Sequence, residues 1–209
     1  MKSILAVVGF LMMGASVGYG QNVALGKPVT QNGLPASYTW CGTQSQPAAG
    51  TINNGSFLAE TTCWLFGSFW TGTSANIVID LQGTFTISSA IIQADNNDTY
   101  LVEYQAPDNS WNVWWNVPAA FNAGGVSTRP NFNQTSRQTL PAVSAKAIRV
   151  SATGGDDLYA VSELQVFGPA STPVGTPTLS QWGYIVLTAS LMGYGLWELL
   201  RRKNGEARS

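Results

Sequence analysis

Ala75-Asn76-Ile77-Val78-Ile79-Asp80-Leu81 is a short run rich in β-branched residues and closed by the turn pair Gln82-Gly83. Such runs, bounded by turn-forming residues, form strands. The pattern recurs at residues 88–93, 100–105, 147–152 and 163–167. Between the runs stand the turn clusters Asp95-Asn96-Asn97-Asp98, Pro107-Asp108-Asn109-Ser110 and Gly154-Gly155-Asp156-Asp157. Nothing between residues 21 and 168 keeps a helical period, and no internal repeat is evident. Short strands with no intervening helices predict an all-β domain, a sandwich or a barrel.

The two ends differ in kind. Lys2 precedes an apolar stretch, residues 4–17, too short for a comfortable membrane span. Gly18-Tyr19-Gly20 then puts small residues at the −3 and −1 positions of a cleavage site before Gln21, so residues 1–20 are expected to be a signal peptide removed by signal peptidase. At the other end a linker, residues 169–175, leads to Thr176-Pro177-Thr178-Leu179-Ser180-Gln181-Trp182-Gly183, a further apolar run and Arg201-Arg202-Lys203. A bilayer core needs roughly 20 apolar residues. Residues 179–200 supply 22, with Trp182 and Trp197 near the two interfaces. These residues are expected to form one transmembrane helix with the C-terminus in the cytoplasm. The alternative is a buried helix of a soluble domain, which would leave the linker and the basic stop as coincidences.

The octapeptide resembles the IPTL-CTERM sorting signal of bacterial surface proteins, Ile-Pro-Thr-Leu-Ser-x-Trp-Gly. Pro177, Thr178, Leu179, Trp182 and Gly183 match the pattern, whereas Thr176 replaces its leading Ile. The resemblance implies that residues 176–209 are a tail read by an exosortase-type transpeptidase. It also implies an exported chain, first an inner-membrane precursor and then displayed on the cell surface or released.

What remains, residues 21–168, is one domain large enough to bury a full core. It carries nine acids and five bases, a net charge of −4. A sparse acidic surface argues against nucleic acid, whose binding rests on basic patches. The chain has no histidine, which excludes Ser-His-Asp and Cys-His nucleophiles and His-ligated zinc. Acid pairs such as Asp95 with Asp98, or Asp156-Asp157, could in principle perform glycoside hydrolysis. They fall in turns, however, where Asp is common for backbone reasons. No enzyme activity is expected. The two cysteines, Cys41 and Cys63, are expected to form a disulfide in an oxidising compartment.

Asn22-Val23-Ala24-Leu25-Gly26-Lys27-Pro28-Val29 resembles the opening of discoidin domains, the coagulation factor 5/8 C-type family. Further blocks follow in family order: Ile52-Asn53-Asn54-Gly55, Cys63-Trp64, Ile77-Val78-Ile79-Asp80-Leu81, Tyr100-Leu101-Val102-Glu103-Tyr104, Asp108-Asn109-Ser110-Trp111, Ala147-Ile148-Arg149-Val150 and Val161-Ser162-Glu163-Leu164-Gln165-Val166-Phe167-Gly168. The resemblance implies an eight-stranded discoidin-like β-sandwich, or jelly roll, with paired N- and C-terminal strands. Bacterial members are often similar to family-32 carbohydrate-binding modules. Trp64 and Trp111 fall inside framework blocks and are expected in the core, and Asp80 with Arg149 is expected to be a framework ion pair.

Binding residues belong on loops carried by such a scaffold. Three stretches combine aromatics with amides: 31–46 with Tyr38 and Trp40, 66–73 with Phe69 and Trp70, and 114–129 with Trp115, Phe121 and Asn122. Asn97 adds a compact hydrogen-bonding group. Sugars present C–H faces and hydroxyl edges, which suit rings beside amides. Tyr38, Trp40, Trp70, Asn97, Trp115 and Phe121 are therefore the candidate binding residues, with a glycan or surface polymer as partner. No cofactor is required. The resemblance implies a structural calcium at Asn54, Thr62 and Glu163, with Asn54 standing where the family has Asp. Two function classes follow: a surface-displayed carbohydrate-binding module, or a structural adhesion protein that contacts protein or copies of itself.

Overall fold

The computed structural model describes residues 20–33, 41–42, 47–120, 125–169 and 179–206. The chain divides into two compact units, Tyr19–Ser171 and a second made of Met1–Gly18 with Thr172–Ser209.

The described residues of the first unit form eight antiparallel strands. They are β1 (Val29–Asn32), β2 (Ser68–Thr71), β3 (Asn76–Asp95), β4 (Thr99–Gln105), β5 (Trp111–Val117), β6 (Val126–Arg129), β7 (Gln138–Gly154) and β8 (Leu158–Phe167). Their hydrogen-bonded order is β2-β8-β3-β7-β4-β5, with β1 and β6 also on β3. The partners of β3 change along its length. Residues 76–80 pair with β1 and β7, whereas residues 89–95 pair with β8 and β6. The register breaks between Asp80 and Phe85, where Gln82 takes φ 58°. At that bend the strand leaves one layer for the other. Ile77, Ile79, Val102, Ile148 and Val150 from the first layer meet Ile92, Val161, Leu164 and Val166 from the second in one buried cluster. This is the expected all-β sandwich.

The opening block closes the domain. Val23 N donates to Val166 O at 2.8 Å, Asn22 Oδ1 accepts from Val166 N at 3.1 Å, and Asn22 bridges Phe167. Buried Asn53 clamps the same segment, its Nδ2 reaching Ala24 O at 2.7 Å and Lys27 O at 2.9 Å. The expected pairing of the N- and C-terminal strands is thus confined to a short bridge from residues 22–23 to the end of β8, since β1 itself pairs with β3. Cys41 and Cys63 are disulfide-bonded with Cα atoms 6.5 Å apart, a link worth about 3 kcal/mol in the chain-entropy view.

Several expectations need correction. Runs 75–81 and 88–93 are one continuous strand, because the Gln82-Gly83 pair makes a bend and not a hairpin. Two of the aromatic stretches expected as loops contain strands: Phe69 and Trp70 lie on β2, and Trp114 and Trp115 on β5. The Asp80–Arg149 pair is absent. Arg149 faces Val78 on one side and Glu103 on the other, and it bonds Glu103 Oε2 at 2.7 Å. Its guanidinium covers Trp111 at 4.3 Å, so half-buried Trp111 is a lid over the ion pair. Trp64 is half-buried too, edge-on to Phe69.

In the second unit α1 (Leu179–Glu206) is helical across the expected span, and it runs on through the basic cluster. Among the described residues no helix is long and apolar enough to cross a membrane. Thr188, Ser190, Gly193 and Gly195 dilute the apolar run. Ile185, Val186, Leu187, Leu191, Met192 and Leu196 are nonetheless exposed around the helix. Residues 1–19, which hold nearly all of the expected signal peptide, and Pro177 and Thr178 lie outside the described residues.

Candidate functional site

One end of the sandwich gathers the turns between strands. The β3–β4 turn is residues 96–98, and the β7–β8 turn is residues 155–157. Asn97 Nδ2 joins them by donating to Asp156 Oδ2 at 2.9 Å. Ala120 N donates to Asn96 O at 2.7 Å, and Asn96 N to Gly125 O at 3.1 Å, so both flanks of residues 121–124 sit on this turn. Thr61 N and Thr62 O bond Val126 next door, and Cys63 carries the disulfide to Cys41. Gly72 N reaches Asp157 O, and Asn32 Nδ2 bonds Asn76 Oδ1 at 3.0 Å beside Gly33. Residues 32–33 and 41, Gly72, and both flanks of residues 121–124 therefore come toward this end. Gly125 (φ 76°) cannot be replaced without strain, because a Cβ there would collide with the carbonyls of Thr61 and Thr62.

Beneath the turns lies a buried polar hub. Arg129, 2% exposed, spends its guanidinium on main-chain carbonyls. Nη1 bonds Ala94 O and Ser127 O at 2.7 and 2.8 Å, Nη2 bonds Asp95 O at 2.6 Å and Asn96 O at 3.2 Å, and Nε bonds Pro118 O at 3.3 Å. Burial lowers the pKa of Arg129, against the pull of Tyr100 and the two acids. Burial, and then the charge of Asp98, pushes the pKa of Asp95 up to about 7. Burial, and then Asp156, does the same to Asp98. Tyr100 Oη stands 3.2 Å from Asp98 Oδ2 and 3.0 Å from Ala160 O. A protonated Asp98 can donate to that hydroxyl while the hydroxyl donates to Ala160, which suits a raised pKa. Nothing in Val126-Ser127-Thr128-Arg129 marks a buried cation, so this hub is invisible in the sequence.

The candidate binding residues divide. Asn97 is half-buried at the gathered end. Trp70, 1% exposed, is packed against Tyr100 and Tyr159 and offers no face to a ligand. Trp115 is 7% exposed and lies on the wall of a side pocket, not at a loop tip. Both are corrections: their short strands pair with β8 and β4, which turns the rings inward. Tyr38, Trp40 and Phe121 lie outside the described residues. Asp95 and Asp98 are buried beneath the turn and so present no carboxylate pair to a substrate.

The calcium set is brought together in part. Gly55 N donates to Glu163 Oε1 at 3.0 Å, while Glu163 Oε2 is buried without a hydrogen-bond partner. Burial pushes the Glu163 pKa up to about 7. Exposed Asn54 turns its amide oxygen to Ser56 N at 2.8 Å, and the Thr62 carbonyl accepts from Val126 N at 2.8 Å. Calcium asks for six to eight oxygens. Glu163 fits the part of an anionic ligand, whereas Asn54 and Thr62 are engaged elsewhere. Among the described residues no group of three acids, cysteines or histidines is placed to hold a metal ion.

Neither a protein-family model nor a curated protein matches the sequence. Solved structures do match the fold. The lectin domain of lectinolysin complexed with Lewis B antigen is 13% identical, with 72% of this chain and 98% of that one covered at a TM-score of 0.51. Chitosan-binding module 1 of a chitosanase/glucanase from Paenibacillus sp. IK-5 is 19% identical over 71% of this chain and 99% of that one, at 0.46. The family 32 carbohydrate-binding module of Streptococcus pneumoniae EndoD is 14% identical over 71% and 100%, at 0.45. At these identities the likeness concerns the fold, which is that of the lectin domain.

Proposed function

We propose that the β domain is a non-catalytic carbohydrate-binding module that recognises a glycan at the end bearing Asn97 and Asp156. The observation that carries this reading is the convergence there of the Asn97–Asp156 pair with the flanks of residues 34–40 and 121–124. Amide and carboxylate groups on a rigid rim, joined to segments holding Tyr38, Trp40 and Phe121, are the chemistry that hydroxyl edges and C–H faces require. The likeness in fold to a lectin domain agrees with it. A glycan array probed with the full chain, in a detergent without a sugar headgroup, tests the reading. Trp40→Ala and Asn97→Ala should each lower binding about tenfold or more. Silence on every glycan, with concentration-dependent self-association in sedimentation, would support the adhesion alternative instead.

The same proposal includes export and sorting. Residues 1–20 act as a cleaved signal, and the precursor is held at the inner membrane through the apolar residues of 179–200 until an exosortase-type enzyme cuts near Thr176-Pro177-Thr178-Leu179. The exposed side chains of Ile185, Val186, Leu187, Leu191, Met192 and Leu196 on α1 support contact with a membrane. Intact mass of the surface form should lack Arg201-Arg202-Lys203. A mass that still includes them would make the tail a plain anchor. A structural calcium at Glu163 is part of the proposal as well, and no cofactor is otherwise needed.

A further inference from the structure

A pocket of about 290 Å³ opens on the side of the sandwich, between the segment after β5 and the segment after β6. Its walls include Trp115, Pro118, Pro130, Asn131, Phe132 and Gln138. The volume lies at the low end for small-ligand sites, about 300 Å³ upward, and suits one ring with its substituents.

Phe132 is the unusual member. Its side chain is 49% exposed, and its backbone holds φ 52°, a left-handed conformation that is a genuine outlier for a bulky residue. Hydrogen bonds fix it there. Phe132 N donates to Thr128 O at 2.8 Å, Thr135 N and Oγ1 both bond Asn133 Oδ1, and Gln134 Nε2 reaches Leu58 O at 2.9 Å. An exposed ring contributes little to folding, so core packing does not account for a rigid turn that presents it. The pocket also offers no free charge. Arg129 touches it, but its nitrogens are directed to main-chain carbonyls. A flat apolar face beside the side-chain amides of Asn131 and Gln138 complements a neutral ring that has one C–H face and hydroxyls at its edge.

We propose that the Phe132 pocket is a second, lateral binding site that takes one neutral pyranose unit. The site takes its ligand class from the carbohydrate reading above and its position from this geometry alone. Phe132 stacks on the sugar, Asn131 and the amide oxygen of Gln138, whose Nε2 donates to Thr139 O at 3.0 Å, bond its hydroxyls, and Trp115 lends a further wall. Ala120 lines this pocket and also bonds Asn96 of the gathered end, so two adjoining sites would let one domain hold a branched or repeating glycan at two points, raising avidity without a new domain.

Saturation-transfer NMR titrations of the full chain, in a detergent without a sugar headgroup, test this with methyl glycosides of galactose, glucose, mannose, N-acetylglucosamine and N-acetylgalactosamine. At least one glycoside should bind, and Phe132→Gly should weaken it about tenfold or more. Glycine adopts φ 52° freely, so the melting temperature should stay within about 2 °C of the parent. Asn97→Ala should leave this component of binding in place. Unchanged titrations with Phe132→Gly overturn the lateral site. If Asn97→Ala alone then abolishes binding, the site at the gathered end stands without it. If no glycoside binds the parent chain and the array is silent too, both sites are wrong.

Discussion

Arg129→Ala should lower the melting temperature of the β domain by about 10 °C or more, and Arg129→Lys should recover little of the loss. The guanidinium satisfies carbonyls of Ala94, Asp95, Asn96, Pro118 and Ser127 in a site only 2% exposed. Removing one partner of a buried polar network leaves the others unpaired, which costs about 3–5 kcal/mol where a charge is involved. In a domain of this size each kcal/mol is worth roughly 2–4 °C. Lysine brings three donors from one point and lacks the planar fork that reaches two layers of carbonyls. Thermal melts followed by circular dichroism check this. A shift under about 3 °C would mean that the hub is not what holds the 95–98 turn. Because that turn carries Asn97, binding at the gathered end should fall with stability in the alanine variant.

Stability should decrease as pH rises from about 5 to about 7.5, the reverse of ordinary acid denaturation. Asp95, Asp98 and Glu163 each have a folded-state pKa pushed up to about 7, by burial above all. Their unfolded values are near 3.8 and 4.5. Between those limits the folded chain holds more protons than the unfolded one, so folding is favoured below the unfolded values and loses that advantage as pH passes through 7. Taken alone, each group loses roughly 2–3 kcal/mol between pH 5 and 7, and the combined loss exceeds that of any one of them. It is smaller than three separate shifts, since the repulsion between Asp95 and Asp98 enters both. Melting temperature against pH should slope downward across this window, and Glu163→Gln should flatten part of the slope. Millimolar calcium should restore stability above pH 7 in the parent and not in Glu163→Gln if Glu163 serves as a ligand. A melting temperature that rises from pH 5 to 7.5 without added metal would contradict the picture.

The β class and the disulfide between Cys41 and Cys63 were legible in the sequence. Each depends on local or compositional facts: β-branched runs between turns, the absence of helical period, and two thiols alone in one domain. The approach of the two ends was expected only through family resemblance, and its form, a short bridge of Asn22 and Val23 to Val166 and Phe167, is a tertiary matter. Short strands escaped because four residues such as Ser68–Thr71 carry too little pattern to outweigh the glycines beside them. That omission misplaced Trp70 and Trp115, since an aromatic reads alike on a loop tip and inside a strand until a pairing partner is known.

Charge partners show the same division. Arg149 could be assigned a carboxylate partner from sequence, yet choosing Glu103 over Asp80 required the register of β4 on β7. Arg129, Asp95 and Asp98 look in sequence like ordinary surface and turn residues. Only the approach of strands distant in the chain buries them, and burial changes their protonation as well as their role. Sequence by itself determined which elements exist, because backbone preference and hydrophobic pattern act over a few neighbouring residues. Which side chains face solvent, and which groups meet at a site, was decided by contacts between segments far apart in the chain, whose energies no local window contains.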